Sequence, residues 1–590
     1  MNYIEEFQKL LISSDIDCYI IPTSDYHNSE YISDYFKGRQ LLSGFTGSQG
    51  TLIVTKNKAY LWVDGRYYIQ AEKEIDNSKI ELMKIGMPDT PTIPEFIADF
   101  FKDVTRKTLA FDGKVMTTSF VNEIKKGLDD DVFVHTNADV LNELWIERPK
   151  LPFSVVYKLD DSFNGEPFES KIAKVRDEMK NNNADMFVLS QLEDQAWLYN
   201  LRGNDIPHTP VFLAYTIVTK NQVLLFIDQN KIDLSVEKYL DEKNVIVKDY
   251  DDVYVYLSNV IDKKIIMDLK RTNYQLYISC DIRNDIIDID NPTLLLKSIK
   301  NETEIANIKE AHIKDAVAMV KFMHLLKKGF NEGWNMTELS LSNKLQELRE
   351  KDKGLIDLSF NTICAFKDHG AMMHYSATKE SNYKIEGNGF LLVDSGGHYL
   401  EGTTDITRTF ALGKITDEMK TNFTTVLKGM IALSQAVFLE GCTGQNLDVL
   451  AREPIWNRLI DYKCGTGHGV GYVLSVHEGP NAFRWQTPTA VIKPGMITTN
   501  EPGIYLKDKY GIRIENELLA VEKEKNEWGN FLEFETITYV PIDLDAIKPL
   551  TLTKKEKEWL NDYHQMVFKK ISPYLEGEDL EFLKEYTKKI

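Results

Sequence analysis

Cysteine is scarce in this sequence, and the few present do not pair by position. Cys18, Cys280, Cys364, Cys442 and Cys464 are five, an odd number, and lie far apart. That excludes a disulfide framework and zinc-finger spacing, and it suits a reducing compartment. Long apolar runs are also lacking: no stretch approaches the roughly 20 residues needed to cross a bilayer, so no membrane partner is expected. The first residues, Met1 to Phe7, are acidic and amphipathic, without the basic-then-apolar order of a secretory signal. A cytoplasmic location is therefore expected. Basic charge is short as well. Seventy Lys and Arg against 90 Asp and Glu leave a net charge of −20, with no basic stripe to meet the phosphates of a nucleic acid. What is present is an ordinary soluble composition, 43% apolar and 27% charged. Its 590 residues are too many for one core, so three or more domains are expected.

The first half carries an internal repeat. Ile53-Val54-Thr55-Lys56-Asn57 recurs as Ile217-Val218-Thr219-Lys220-Asn221, 164 residues later, and each copy runs into an apolar strand ending in Asp64 or Asp228. Upstream, Asp17–Ile21 and Ala184–Leu189 both read as buried strands after a helical segment. A repeat this long means duplicated domains and not a solenoid. Two related α/β domains are expected over 1–150 and 151–298, divided near Pro149 and Pro152. A third region opens with Asn301 and Glu304 as N-cap and capping-box partner, and Ile305, Ile308, His312, Met319 and Met323 follow helical spacing. From about 385 to 520 the pattern becomes short β-rich runs broken by glycine, giving an α+β region over 299–540. Thr553 and Glu556 then open a helical tail over 541–590, with Trp559, Tyr563 and Val567 on one side.

Five potential metal ligands lie in the third region. Asp394 ends the strand Phe390–Val393, and Asp405 follows a glycine-containing turn. Two strands joined by a turn can set carboxylates eleven residues apart side by side, although either aspartate alone is equally a strand end or a turn cap. His468 sits among alternate glycines in Gly465-Thr466-Gly467-His468-Gly469, which let backbone approach closely. The glycines fit neither G-x-G-x-x-G nor a G-K-[ST] loop, so a nucleotide site is rejected. His477 follows nine residues later, where the competing reading is a structural histidine. Glu501 ends an apolar approach at a turn, and Glu515 lies in Gly511-Ile512-Arg513-Ile514-Glu515. Alternation puts Arg513 and Glu515 on one face, where the guanidinium can orient that carboxylate or form an ordinary cross-strand pair. Four carboxylates and one imidazole make a hard donor set, suited to two divalent cations such as Mn2+ and not to a structural zinc. Such a pair activates water, and no serine or cysteine nucleophile with an obvious base is visible.

At these residues the sequence resembles the Xaa-Pro aminopeptidases of the pita-bread metallopeptidase superfamily. The motifs VDSGGHYLEGTTDITRTF, GTGHGVG, TTNEPGIY and GIRIENE carry the likeness. HNSEYISDYF, LLSGFTGSQGT, WVDGRYYIQA, LWIERPK and AWLYNLRGNDIPHTPVF extend it to the three-domain cytosolic type. The resemblance implies a pita-bread fold for the catalytic domain, preceded by two creatinase-like α/β domains. It implies that Asp394 holds one metal, that Asp405 and Glu515 bridge, and that His468 and Glu501 complete the second site. Glu501 would also shuttle the proton for a metal-bridging hydroxide, His477 would contact the scissile carbonyl, and His374 would line the proline side of the cleft. Arg66 and Arg513 would be substrate-side arginines, with a structural ion pair the competing reading for Arg66. The implied substrates are peptides with proline in second position, and the implied assembly is a homodimer. Where the family usually has a histidine before Gly-Thr-Gly-His, this chain has Cys464, which bears on the substrate pocket and not on metal ligation. A prolidase, which takes dipeptides, is the alternative. From another class, a catalytically inactive peptide-binding module is the further alternative.

Overall fold

The computed structural model describes residues 3–104 and 107–590. The chain forms two compact units, Met1–Leu159 with Glu166–Leu294, and Asp160–Gly165 with Leu295–Ile590.

The first unit holds two six-stranded sheets of identical topology. The first contains β1 (Cys18–Pro22), β2 (Thr51–Thr55), β3 (Ala59–Val63), β4 (Ile80–Lys84), β5 (Thr108–Ala110) and β6 (Phe133–His135) in the order β4-β3-β2-β1-β5-β6. The second contains β7 (Met186–Leu189), β8 (Ala214–Thr219), β9 (Val223–Ile227), β10 (Val245–Lys248), β11 (Lys264–Met267) and β12 (Asp285–Asp288) in the order β10-β9-β8-β7-β11-β12. The repeated pentapeptide occupies the same place in both. Ile53 pairs with Ile20, and Ile217 with Val188. Each string then closes a hairpin, Thr55 N–H donating to Lys58 O at 2.8 Å and Thr219 N–H to Gln222 O at 2.9 Å. Successive residues of β1 point to opposite faces: Tyr19 and Ile21 join one core cluster, Cys18 and Ile20 the other. Burial on both faces is why these strands read as continuous apolar runs.

The second unit contains the long helix α1 (Glu302–Glu332), whose Asn301–Glu304 capping box forms with both bonds present. Its buried face, Ile308, His312, Met319 and Met323 among others, turns toward a core shared with α2 (Glu338–Arg349). A three-stranded sheet of β13 (Ile363–Phe366), β14 (Gly389–Ser395) and β15 (Ile406–Leu412) joins that core. The expectation of short β runs from 385 to 520 needs correcting, because two full helices interrupt them, α3 (Asp417–Ser434) and α4 (Gly444–Trp456). Thr416 caps α3 through Met419 N–H, and a run of 18 residues with eleven buried makes it a core helix. Then come β16 (Ile497–Asn500), β17 (Gly503–Leu506), β18 (Tyr510–Arg513), β19 (Asn516–Asn526) and β20 (Gly529–Thr536). The tail helix α5 (Lys554–Ile571) opens with its Thr553–Glu556 capping box and buries Leu560, Tyr563 and Val567 in the same core as α1.

Candidate metal centre

The site is assembled from strand register. In the β14–β15 ladder Asp394 stands opposite Thr407, two residues beyond Asp405. Thr407 Oγ1 donates to Glu515 Oε2 at 2.7 Å and accepts from Arg513 Nε at 3.1 Å, so one hydroxyl ties the third carboxylate to the arginine. Gly467 lies so close to β16 that a Cβ there would meet Thr499 O at 1.8 Å. That approach carries its neighbour His468 to the end of β16, with His468 N–H on Thr499 Oγ1 at 3.0 Å and Glu501 N–H on Thr466 O at 2.8 Å.

The result is two adjoining donor clusters. Ligand atoms of Asp394, Asp405 and Glu515 lie within 4.8 Å of one another, and so do those of His468, Glu501 and Glu515. Glu515 is common to both, and His468 Nε2 stands 3.4 Å from Asp405 Oδ2 and 3.4 Å from Glu501 Oε1. His477 adjoins them, its ring 4.2 Å from that of His468 and nearly perpendicular. It forms a third group with Asp405 and His468 within the same 4.8 Å limit.

Electrostatics show what this arrangement lacks. Burial, and then repulsion from Asp394 and Glu501, holds the Asp405 carboxyl well above the usual carboxylate range. Burial, and then Asp405 and Glu501, does the same to Glu515. Asp394 Oδ1 and Asp405 Oδ1 are buried without a hydrogen-bond partner. Crowded acceptors of one sign, left unsatisfied, fit cations. His468 fits too: Nδ1 lies 3.0 Å from Gly469 O, and donating there leaves the Nε2 lone pair toward the carboxylates.

Arg513 behaves differently from the sequence expectation. Its guanidinium reaches Asp394 Oδ2 and not Glu515, and also donates to Tyr505 OH at 2.6 Å and Met373 O at 3.3 Å. It is 3% exposed, so it anchors Asp394 from within the protein. The Met373 contact places the half-buried His374 beside that anchor, on the loop after the turn Lys367–Ala371. A Cβ at Gly511 would meet Gly370 O at 1.7 Å, so that turn also lies directly on β18. Arg66 lies in the first unit, chelating Asp64 through Nε at 2.9 Å and Nη2 at 2.7 Å. Cys464 is half-buried, and Arg452 Nη2 donates to its carbonyl at 2.7 Å. The sequence reading gave no role to Tyr505, Thr407 or Arg408, although Thr407 and Arg408 lie within the quoted aspartate motif.

Family comparisons agree with this organisation. A Metallopeptidase family M24 model matches residues 306–522, and a C-terminal region of peptidase M24 matches 530–590. Creatinase/Prolidase N-terminal domain models match 4–144 and 147–304. Fold and site together define a metallopeptidase with a pita-bread catalytic region behind two creatinase-type α/β domains. A probable Xaa-Pro aminopeptidase P of Coprinopsis cinerea is 36% identical, covering 98% of this chain and 97% of that protein. Aminopeptidase P2 of Arabidopsis thaliana is also 36% identical, covering 95% and 84%. The crystal structure of X-prolyl aminopeptidase from Caenorhabditis elegans, described as a cytosolic enzyme with a di-nuclear active site, superposes with a TM-score of 0.92. It is 33% identical, with 98% of this chain and 95% of that one covered. The chain belongs to the Xaa-Pro aminopeptidase P family.

Proposed function

We propose that this protein removes the first residue from peptides whose second residue is proline, using two divalent cations. The observation that carries this is the pair of donor clusters sharing Glu515. In this reading Asp394 would hold one cation, His468 and Glu501 the other, and Asp405 and Glu515 would contribute to both. An oxygen-rich donor set favours Mn2+. Bound there, the cations supply Lewis acidity and a water made nucleophilic near neutral pH. The chain's own groups do the rest. As the water oxygen bonds to the scissile carbonyl carbon, Glu501 accepts its proton and passes it to the proline nitrogen when the C–N bond breaks, and His477 donates to the carbonyl oxygen as negative charge develops on it. That proline nitrogen belongs to a tertiary amide with no N–H, so recognition falls to the shape of the cleft, whose proline side His374 would line. Arg513 keeps Asp394 oriented, and Arg66 remains a substrate-side candidate of the first unit.

The domain limits we adopt are 1–150, 151–298, 299–540 and 541–590. A homodimer belongs to the same reading on the strength of the family likeness. A cytoplasmic site of action belongs to the same reading, supported by the likeness to the Caenorhabditis elegans enzyme described as cytosolic.

The test is release of the first residue from Arg-Pro-Pro, Arg-Pro, Arg-Ala-Ala and a methionine-first peptide by Mn2+-loaded protein, with and without chelator. Chelator-sensitive cleavage of Arg-Pro-Pro ahead of Arg-Pro supports the reading. Preference for Arg-Pro would turn it to a prolidase. No cleavage with two cations verified bound would leave a binding protein.

A further inference from the structure

Asp405 stands one residue before β15, whose ladder with β14 ends at the pair Ser395–Ile406. Its backbone N–H therefore has no strand partner in that sheet. It is taken instead by a side chain, Glu517 Oε1, at 2.8 Å. Glu517 lies on β19 opposite Thr499, two residues beyond Glu515, and its side chain is 0% exposed. Its other oxygen, Oε2, has no hydrogen bond and faces His312 Nε2 at 3.2 Å. The His312 side chain is 3% exposed and belongs to the apolar face of α1. A carboxylate this deep is retained only where something holds it and something needs it. The imidazole faces one oxygen at ion-pair distance without a hydrogen bond, and the main chain at 405 is what the other oxygen holds.

We propose that Glu517, backed by His312, is a positioning residue for Asp405, setting the main chain there so that the Asp405 side chain is presented between the two donor clusters. Thr407 plays the equivalent part for Glu515 and Arg513 for Asp394, which leaves Asp405 held through its backbone. The inference rests on the reading of Asp405 as a cation ligand. Partners that orient a ligand are worth about 10- to 100-fold in metal affinity when removed.

The experiment titrates the metal-free full chain with Mn2+, reading free Mn2+ by electron paramagnetic resonance, and with Co2+, reading its visible absorption bands. Glu517→Leu removes the acceptor at similar volume, whereas Glu517→Gln keeps an oxygen for the Asp405 N–H. The expected result is a loss of about 10- to 100-fold in Mn2+ affinity and a changed Co2+ spectrum for Glu517→Leu, with Glu517→Gln close to wild type. Wild-type affinity and spectrum in a folded Glu517→Leu would overturn the proposal. So would an equal loss in Glu517→Gln, which would make the charge and not the hydrogen bond the effective feature. If Glu517→Leu does not fold, His312→Leu leaves Glu517 in place but unbacked. A weakened Mn2+ site with an altered Co2+ spectrum in that variant supports the proposal, and an unchanged one overturns it. A wild-type chain that binds no Mn2+ would instead remove the cation reading itself and this inference with it.

Discussion

Arg408 ties the site to the tail of the chain, and its removal makes a quantitative prediction. The guanidinium is 1% exposed and donates to Thr407 O at 2.9 Å, Pro541 O at 3.1 Å, Val540 O at 2.8 Å, Asn516 Oδ1 at 2.8 Å and Tyr563 OH at 2.8 Å, and also to the carbonyl of Glu515. Two of these acceptors keep a donor. Glu515 N–H reaches Thr407 O, and the single Tyr563 O–H reaches either Val540 O or Asn516 Oδ1. In Arg408→Met the carbonyls of Pro541 and Glu515 and one of those two oxygens are left bare, at about 1–3 kcal/mol each. Part of this is offset, because burial holds the guanidinium below its ordinary pKa and that desolvation disappears with it. A net loss of about 2–6 kcal/mol remains. At about 2 °C per kcal/mol for a unit of this size, the melting temperature should drop by about 4–12 °C. Thermal unfolding followed by far-UV circular dichroism gives the drop, and Mn2+ titration reads whether Glu515 has moved. A drop under about 1 °C with wild-type Mn2+ binding would show that the carbonyls find water or other donors, and that the knot is not what holds Glu515.

Glu501→Gln should lower kcat for Arg-Pro-Pro by about 10²- to 10⁴-fold with much smaller change in KM, since the proton carrier acts in the transition state. A variant with near wild-type kcat would take that role from Glu501. The raised Asp405 carboxyl gives a pH dependence whose sign is fixed. A carboxyl with its folded pKa above the unfolded value of about 4 stabilises the fold below that pH and loses this as pH rises through the folded value. The chelated wild type should therefore lose thermal stability relative to Asp405→Asn between pH 4 and pH 7, with Mn2+ closing the gap. A gap that stays constant over that range would contradict the repulsion argument. If Leu459, 98% exposed, lies in the contact of the proposed homodimer, Leu459→Glu should leave the monomer folded but shift sedimentation from dimer to monomer. Unchanged sedimentation would place any dimer interface elsewhere.

The sequence was most informative where local chemistry and tertiary role coincide. The pentapeptide repeat foretold two equivalent sheets because its Thr-Lys-Asn closes a hairpin in each, a local event that a string of residues can carry. The capping boxes at Asn301 and Thr553 were legible for the same reason. Asp394, Asp405, His468, Glu501 and Glu515 stand out as acids and an imidazole at strand ends and glycine turns, where a polar side chain has little structural work. Helices α3 and α4 were overlooked because their buried faces carry Thr424, Thr425, Ser434 and Asp448 among apolar residues, which blurs a 3.6-residue pattern. The supports of the site were illegible for a deeper reason. Arg513 was matched to Glu515 by strand alternation, a rule about one strand, but its partner Asp394 lies 119 residues away. His312 occupied a position of the apolar face of α1 and so read as core, which by burial it is. Only the fold, by bringing Glu517 against it, distinguishes a histidine that fills space from one that backs a carboxylate. Ligands are written in the sequence by their chemistry, whereas the groups that aim them are ordinary residues made particular by register and depth.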